Sequence, residues 1–75
     1  MMFKSVMSEN GKVVSRGQMD EAGAAGLLDI AIKSLLRPSP EETTSVVGAL
    51  GGEVTITVTN HVTGLVGTIV LTAVR

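Results

Sequence analysis

Cysteine, tryptophan and tyrosine are missing from this 75-residue chain, and Phe3 is its one aromatic residue. Without cysteine there is no disulfide and no thiolate metal site, which fits a reducing compartment. A single histidine, His61, rules out a histidine-rich metal site within one chain. Aromatic platforms on which nucleic-acid bases stack are also lacking. So is any basic excess, with six Lys and Arg against seven Asp and Glu. Phosphate neutralisation supplies most nucleic-acid affinity, so nucleic acid is not an expected partner. No window approaches the roughly 18 apolar residues of a membrane span. The opening MMFKSVMSENGK carries Lys4, Ser5 and Ser8 where a signal peptide would be continuously apolar. The expectation is a soluble, cytoplasmic protein with no membrane partner.

A chain this short forms one domain, 1–75, and buries only about 60% of the surface its unfolded form exposes. Small domains are usually reinforced by a disulfide, a metal or a partner subunit. The composition leaves the last of these open, so a homo-oligomer, a dimer or higher, is expected.

Asn10-Gly11 signals a two-residue hairpin turn, because both central positions of a type I′ turn need positive φ. It predicts a hairpin over 2–17, pairing Glu9 with Lys12, Met7 with Val14 and Val6 with Ser15. From Asp20 the period changes. Ala24, Leu27, Leu28, Ala31, Ile32 and Leu35 recur at three- and four-residue spacing, which predicts an amphipathic helix over 20–37. Asp20 and Glu21 suit its positive N-terminal end, and Asp29 precedes Lys33 at the favourable spacing of four. Gly23 and Gly26 weaken a helix, and close approach to the sheet is their expected compensation. Pro38 should end the helix. Ser39-Pro40-Glu41-Glu42 has the form of a fresh helix start, predicting a short helix or turn over 40–49, with Gly48-Ala49-Leu50-Gly51-Gly52 as its C-cap.

The segment EVTITVTNHVTGLVGTIVLTAV predicts a second hairpin over 53–74. A tight turn at Thr63-Gly64 pairs Val58 with Ile69, Ile56 with Leu71 and Val54 with Ala73, all facing the core. The far face carries Thr55, Thr57, Thr59, His61, Val66, Thr68, Val70 and Thr72. It is too polar for a core and too apolar for an ordinary solvent surface. The fold class is therefore α+β, ordered β-β-α-(α)-β-β, with an antiparallel sheet of about four strands covered on one face by the main helix.

Catalytic signals are weak. His61 near a hairpin tip is an ordinary solvated loop position, and its available hydroxyl partners, Thr59, Thr63 and Thr68, suit strand packing without any further role. Asp20-Glu21 and Glu41-Glu42 sit at helix starts, where acidic residues are expected for the dipole alone. The glycine-rich 48–52 segment lacks the lysine and following Ser/Thr of a phosphate-binding loop, and no EF-hand or dinucleotide fingerprint is present. Neither an enzyme, a metal site nor a cofactor is expected.

Ser8-Glu9-Asn10-Gly11-Lys12-Val13-Val14, followed by a helix and a late hairpin, resembles the swapped-hairpin DNA-binding domains of the AbrB and antitoxin type. The likeness spans about ten residues. Ser15-Arg16-Gly17-Gln18 and acidic Asp20-Glu21 stand where that family has an Ile-Pro step and a basic helix start, and the long helix and the 38–52 segment also depart from its compact pattern. The resemblance implies a DNA-binding module as a third functional reading. The leading one is a non-enzymatic interaction protein, a homo-oligomer joined through the far face or a sheet edge. It would bind and occlude another macromolecule as a protein partner, as accessory or inhibitor proteins of viruses and mobile elements do. The second is a binder of a small anionic metabolite or nucleotide at a subunit boundary, using Arg16, Arg37, His61 and the backbone amides of Gly51 and Gly52.

Overall fold

The computed structural model describes residues 1–37 and 39–74. The elements are β1 (Met2–Glu9), β2 (Lys12–Asp20), α1 (Glu21–Leu36), β3 (Glu42–Gly48), β4 (Glu53–Asn60) and β5 (Val66–Val74). They form an α+β fold in which one helix packs on one face of a five-stranded sheet of order β2-β1-β5-β4-β3. Every neighbouring pair is antiparallel. The strand count exceeds the expected four because 42–48 is an edge strand, where the sequence predicted a helix or turn. The order is therefore β-β-α-β-β-β.

The helix-start chemistry at 39–42 is real but serves a turn. Ser39 Oγ accepts from Glu41 N at 3.2 Å, and Ser39 O accepts from Glu42 N at 3.4 Å. Beyond it, Thr43, Thr44, Val46 and Val47 are β-branched, stiff at χ1 and suited to a pleated surface. They pair with β4 from Glu42↔Asn60 to Gly48↔Val54. The glycine-rich segment after Gly48 thus joins two strands and caps no helix. Gly48 has φ 103°, and a Cβ there would overlap the Glu53 carbonyl oxygen, so the closing pair of this hairpin requires glycine.

Asn10 and Gly11 adopt φ 51° and 82°, as the type I′ turn demands. The pairing Glu9↔Lys12 is as expected, but Val14 is an extra residue between Ser8↔Val13 and Met7↔Ser15. The expected pairs Met7–Val14 and Val6–Ser15 are replaced by Met7↔Ser15 and Val6↔Arg16. Regular pairing would have set Met19 opposite Met2. The bulge sets it opposite Phe3, on the core face, and puts Arg16 and Gln18 on the far face.

Asp20 caps α1, its Oδ1 accepting from Gly23 N at 2.8 Å. Arg37 N donates to Lys33 O at 3.0 Å at the other end. Pro38 lies outside the described residues. The Asp29–Lys33 ion pair forms at 3.0 Å on the exposed side. A Cβ on Gly23 would lie 3.3–3.4 Å from Asp20 and Met19, so close approach accounts for that glycine. Gly26 faces open space, and the expected compensation is absent there.

The buried core is Phe3, Ala24, Ala31, Val54, Ile56 and Leu71, with Met19, Leu27, Leu28, Val46, Leu50, Ile69 and Ala73 packed around it. Only the first part of the helical stripe is covered. Ile32 and Leu35, expected inside, are 43% and 44% exposed, because Leu27, Ala31 and Ser34 are the residues that α1 turns towards Thr44, Ile56 and Val58, which leaves Ile32 and Leu35 on its flank.

The β4–β5 register differs from the expected one by two residues, with Ile56↔Ile69, Val54↔Leu71 and Val58↔Gly67. The loop is wider than a two-residue turn. Asn60 Oδ1 accepts from Val62 N and Thr63 N at 2.9 and 3.0 Å, and Asn60 and Leu65 close it through Asn60 N→Leu65 O at 2.8 Å. A slip of two preserves side-chain parity, so the two faces are those expected.

Candidate interaction face

Helix α1 covers one face of the sheet, and no described element covers the other. The parity of each strand assigns its residues. Along the middle of the bare face run Arg16, Val6, Val70, Thr55 and Val47, one from each strand in sheet order. The next row towards the Asn10-Gly11 end is Val13, Ser8, Thr68, Thr57 and Ser45. On the other side lie Gln18, Lys4, Thr72 and Glu53.

Seven of the eight expected far-face residues lie here. Thr55, Thr57, Thr59, Val66, Thr68 and Val70 are half-buried by their cross-strand neighbours, and Thr72 is exposed. His61 sits just past β4, in the loop, and is exposed. Sequence reasoning missed Val6, Val13 and Val47. Val47 was hidden by the helical reading of 40–49, and no face had been assigned to the first hairpin, whose sense depends on the bulge at Val14.

His61 Nε2 and Thr43 Oγ1 hydrogen-bond at 2.6 Å, and His61 N donates to Glu41 O at 2.7 Å. The hydroxyl beside the imidazole is thus Thr43, not Thr59, Thr63 or Thr68. The pair joins the edge strand to the β4–β5 loop and is exposed to water, which suits a strut better than an activated nucleophile. Among the described residues no group of three or more His, Asp or Glu is placed to hold a metal ion. No helix there is long and apolar enough to cross a membrane.

The residues expected to bind an anion are dispersed within one chain. Arg16 is on edge strand β2, whereas Arg37 follows α1 and lines a small cleft with Ser34, Ser39, Glu42, Thr44 and Val58. Gly51 and Gly52 lie in the β3–β4 turn, at the end of β4 opposite His61, where Gly52 N donates to Ala49 O at 3.0 Å.

On the helix side the diagonal course of α1 leaves a shallow apolar groove lined by Met7, Val14, Ile56, Val58, Gly67 and Ile69. Ile30 lies beside Ile56, Val58 and Ile69 and is 64% exposed, and Leu36, at the far end of the helix with Lys33 and Arg37, is 77% exposed. Apolar surface therefore remains on both sides of the sheet. Comparison with protein-family models, with characterised proteins and with solved structures gives no significant match.

Proposed function

We propose that this chain is a non-enzymatic interaction protein that works as a homo-oligomer through the bare face of its sheet. The observation that carries this reading is a five-stranded sheet covered on one side, whose other side presents Val6, Val66 and Val70 among threonines. An antiparallel sheet can face water, but it then alternates apolar-in with polar-out, and central valines on the outer face break that pattern. Threonine and valine are both compact and β-branched, so such a face is flat and compatible with close packing.

The oligomer would present its helices outward, with the groove beside Met7 and Val58 and the exposed Ile30 and Leu36 as its second contact surface. Through that side it would bind and occlude another macromolecule, in the manner of small accessory or inhibitor proteins of viruses and mobile elements. Light scattering on the purified chain at high micromolar concentration tests the first step. Assembly is expected, and a strict monomer would refute the reading.

A further inference from the structure

We infer that the occupant of the bare face is a second copy of this chain, docked about a two-fold axis that runs along β5, with Lys4 of each copy opposite Glu53 of the other. This inference rests on the proposed use of that face. It adds which partner binds there and in which orientation.

Size comes first. Five strands of seven to nine residues, about 4.8 Å apart and rising about 3.3 Å per residue, give the bare face roughly 650 Å² of flat area before side-chain relief is counted. A stable interface needs about 800 Å² from each partner. One isologous contact would therefore take up the whole face and leave no room for a second occupant.

Charge then selects the axis. The central strand is β5, flanked by β1 and β2 on one side and by β4 and β3 on the other. The cations of the face, Lys4 and Arg16, are on the β1–β2 side, and Glu53 is on the β4 side. Lys4 and Glu53 stand level, because both pair with Thr72 across β5. A two-fold axis along β5 lays each β1 over the other copy's β4 without changing level, which sets Lys4 against Glu53 twice in the dimer. An axis across the strands through Val70 would instead set each Arg16 against its own counterpart, a repulsion. Either axis keeps the strand directions of the two sheets aligned, as in natural sandwiches, so charge makes the choice. At the centre, Val70 would meet Val70, with Val6 of one copy against Thr55 of the other. The product is a ten-stranded sandwich with both helices outside.

The test is charge reversal by Lys4→Glu and Glu53→Lys, singly and together, with dimer dissociation measured by sedimentation equilibrium at low and high salt. Both residues are exposed in the single chain, so the fold should survive, which circular dichroism checks. Lys4→Gln and Glu53→Gln serve if a reversal perturbs it. Each single reversal should weaken the dimer about tenfold, the double reversal should restore it to within about threefold, and the differences should shrink in high salt. A wild-type dimer indifferent to the single reversals, or unrescued by the double one, would overturn this geometry while leaving self-association through the face intact. A wild-type chain that remains monomeric would overturn the underlying reading as well.

Discussion

Replacing Gly48 by alanine tests the most demanding local feature of the fold. Gly48 has φ 103° and closes the β3–β4 hairpin opposite Val54, which is fully buried. An alanine Cβ would overlap the Glu53 carbonyl oxygen and lie 3.0 Å from its carbon and 3.2 Å from Val54 Cα. These are backbone atoms of the neighbouring strand, so no side-chain rotation relieves the contact. Holding a non-glycine residue at such a φ costs about 1–3 kcal/mol. Shifting packed backbone to remove the overlap adds about 1–3 kcal/mol. The variant should lose about 3 kcal/mol, which at 4–8 °C per kcal/mol lowers Tm by roughly 12–24 °C in a domain of this size. Gly51→Ala is the matched control, since its Cβ would meet open space and its φ is ordinary. Thermal melts followed by circular dichroism at one protein concentration give the comparison. If Gly48→Ala melted within about 3 °C of the parent, the assigned closure of the hairpin would be wrong.

Three further substitutions probe the helix and the long loop. Gly26→Ala places a methyl group in open space on a helix and should stabilise by about 1 kcal/mol, a rise of several degrees in Tm; a fall would mean a packing role not visible in the fold. Asp20→Ala removes the N-cap acceptor of Gly23 N and should cost about 1 kcal/mol in a urea titration, whereas Asp20→Asn should retain most of it; equal losses would show that charge rather than capping matters. Asn60→Ala deprives Val62 N and Thr63 N of their acceptor and should cost about 0.5–1.5 kcal/mol, with faster amide exchange confined to the loop; protection unchanged at both amides would refute its role.

The extent to which this fold was legible in its sequence depended on how locally each feature is determined. The Asn10-Gly11 turn and α1 were readable because backbone requirement and hydrophobic period act within a few residues. The far face was readable for a different reason. The register slipped by two residues when Asn60 organised a wider loop, but parity survived, so Val54, Ile56, Val58, Ile69 and Leu71 kept the helix side. Strand β3 was not readable from Ser39-Pro40-Glu41-Glu42, since a serine oxygen receiving backbone N–H groups is common to helix caps and turns. What decides between them is the β-branched run from Thr43 and its pairing with β4, a contact distant in sequence. The bulge at Val14 is likewise non-local. Its effect is to bring Met19 beside Phe3, and only the assembled sheet shows that Val6 and Arg16 then join the threonine–valine face.

Self-association through this face is the step on which the proposed function depends. Val70 occupies the middle of the face, on the central strand, so Val70→Asp would bring two introduced carboxylates together in a desolvated interface. Such unpaired charges cost several kcal/mol, a loss of at least a hundredfold in affinity. Sedimentation velocity of the parent and of Val70→Asp over the micromolar range measures this directly. A dimeric parent and a monomeric variant with an unchanged circular dichroism spectrum are expected. A parent that is monomeric throughout, or a variant that dimerises as tightly as the parent, would contradict self-association through this face.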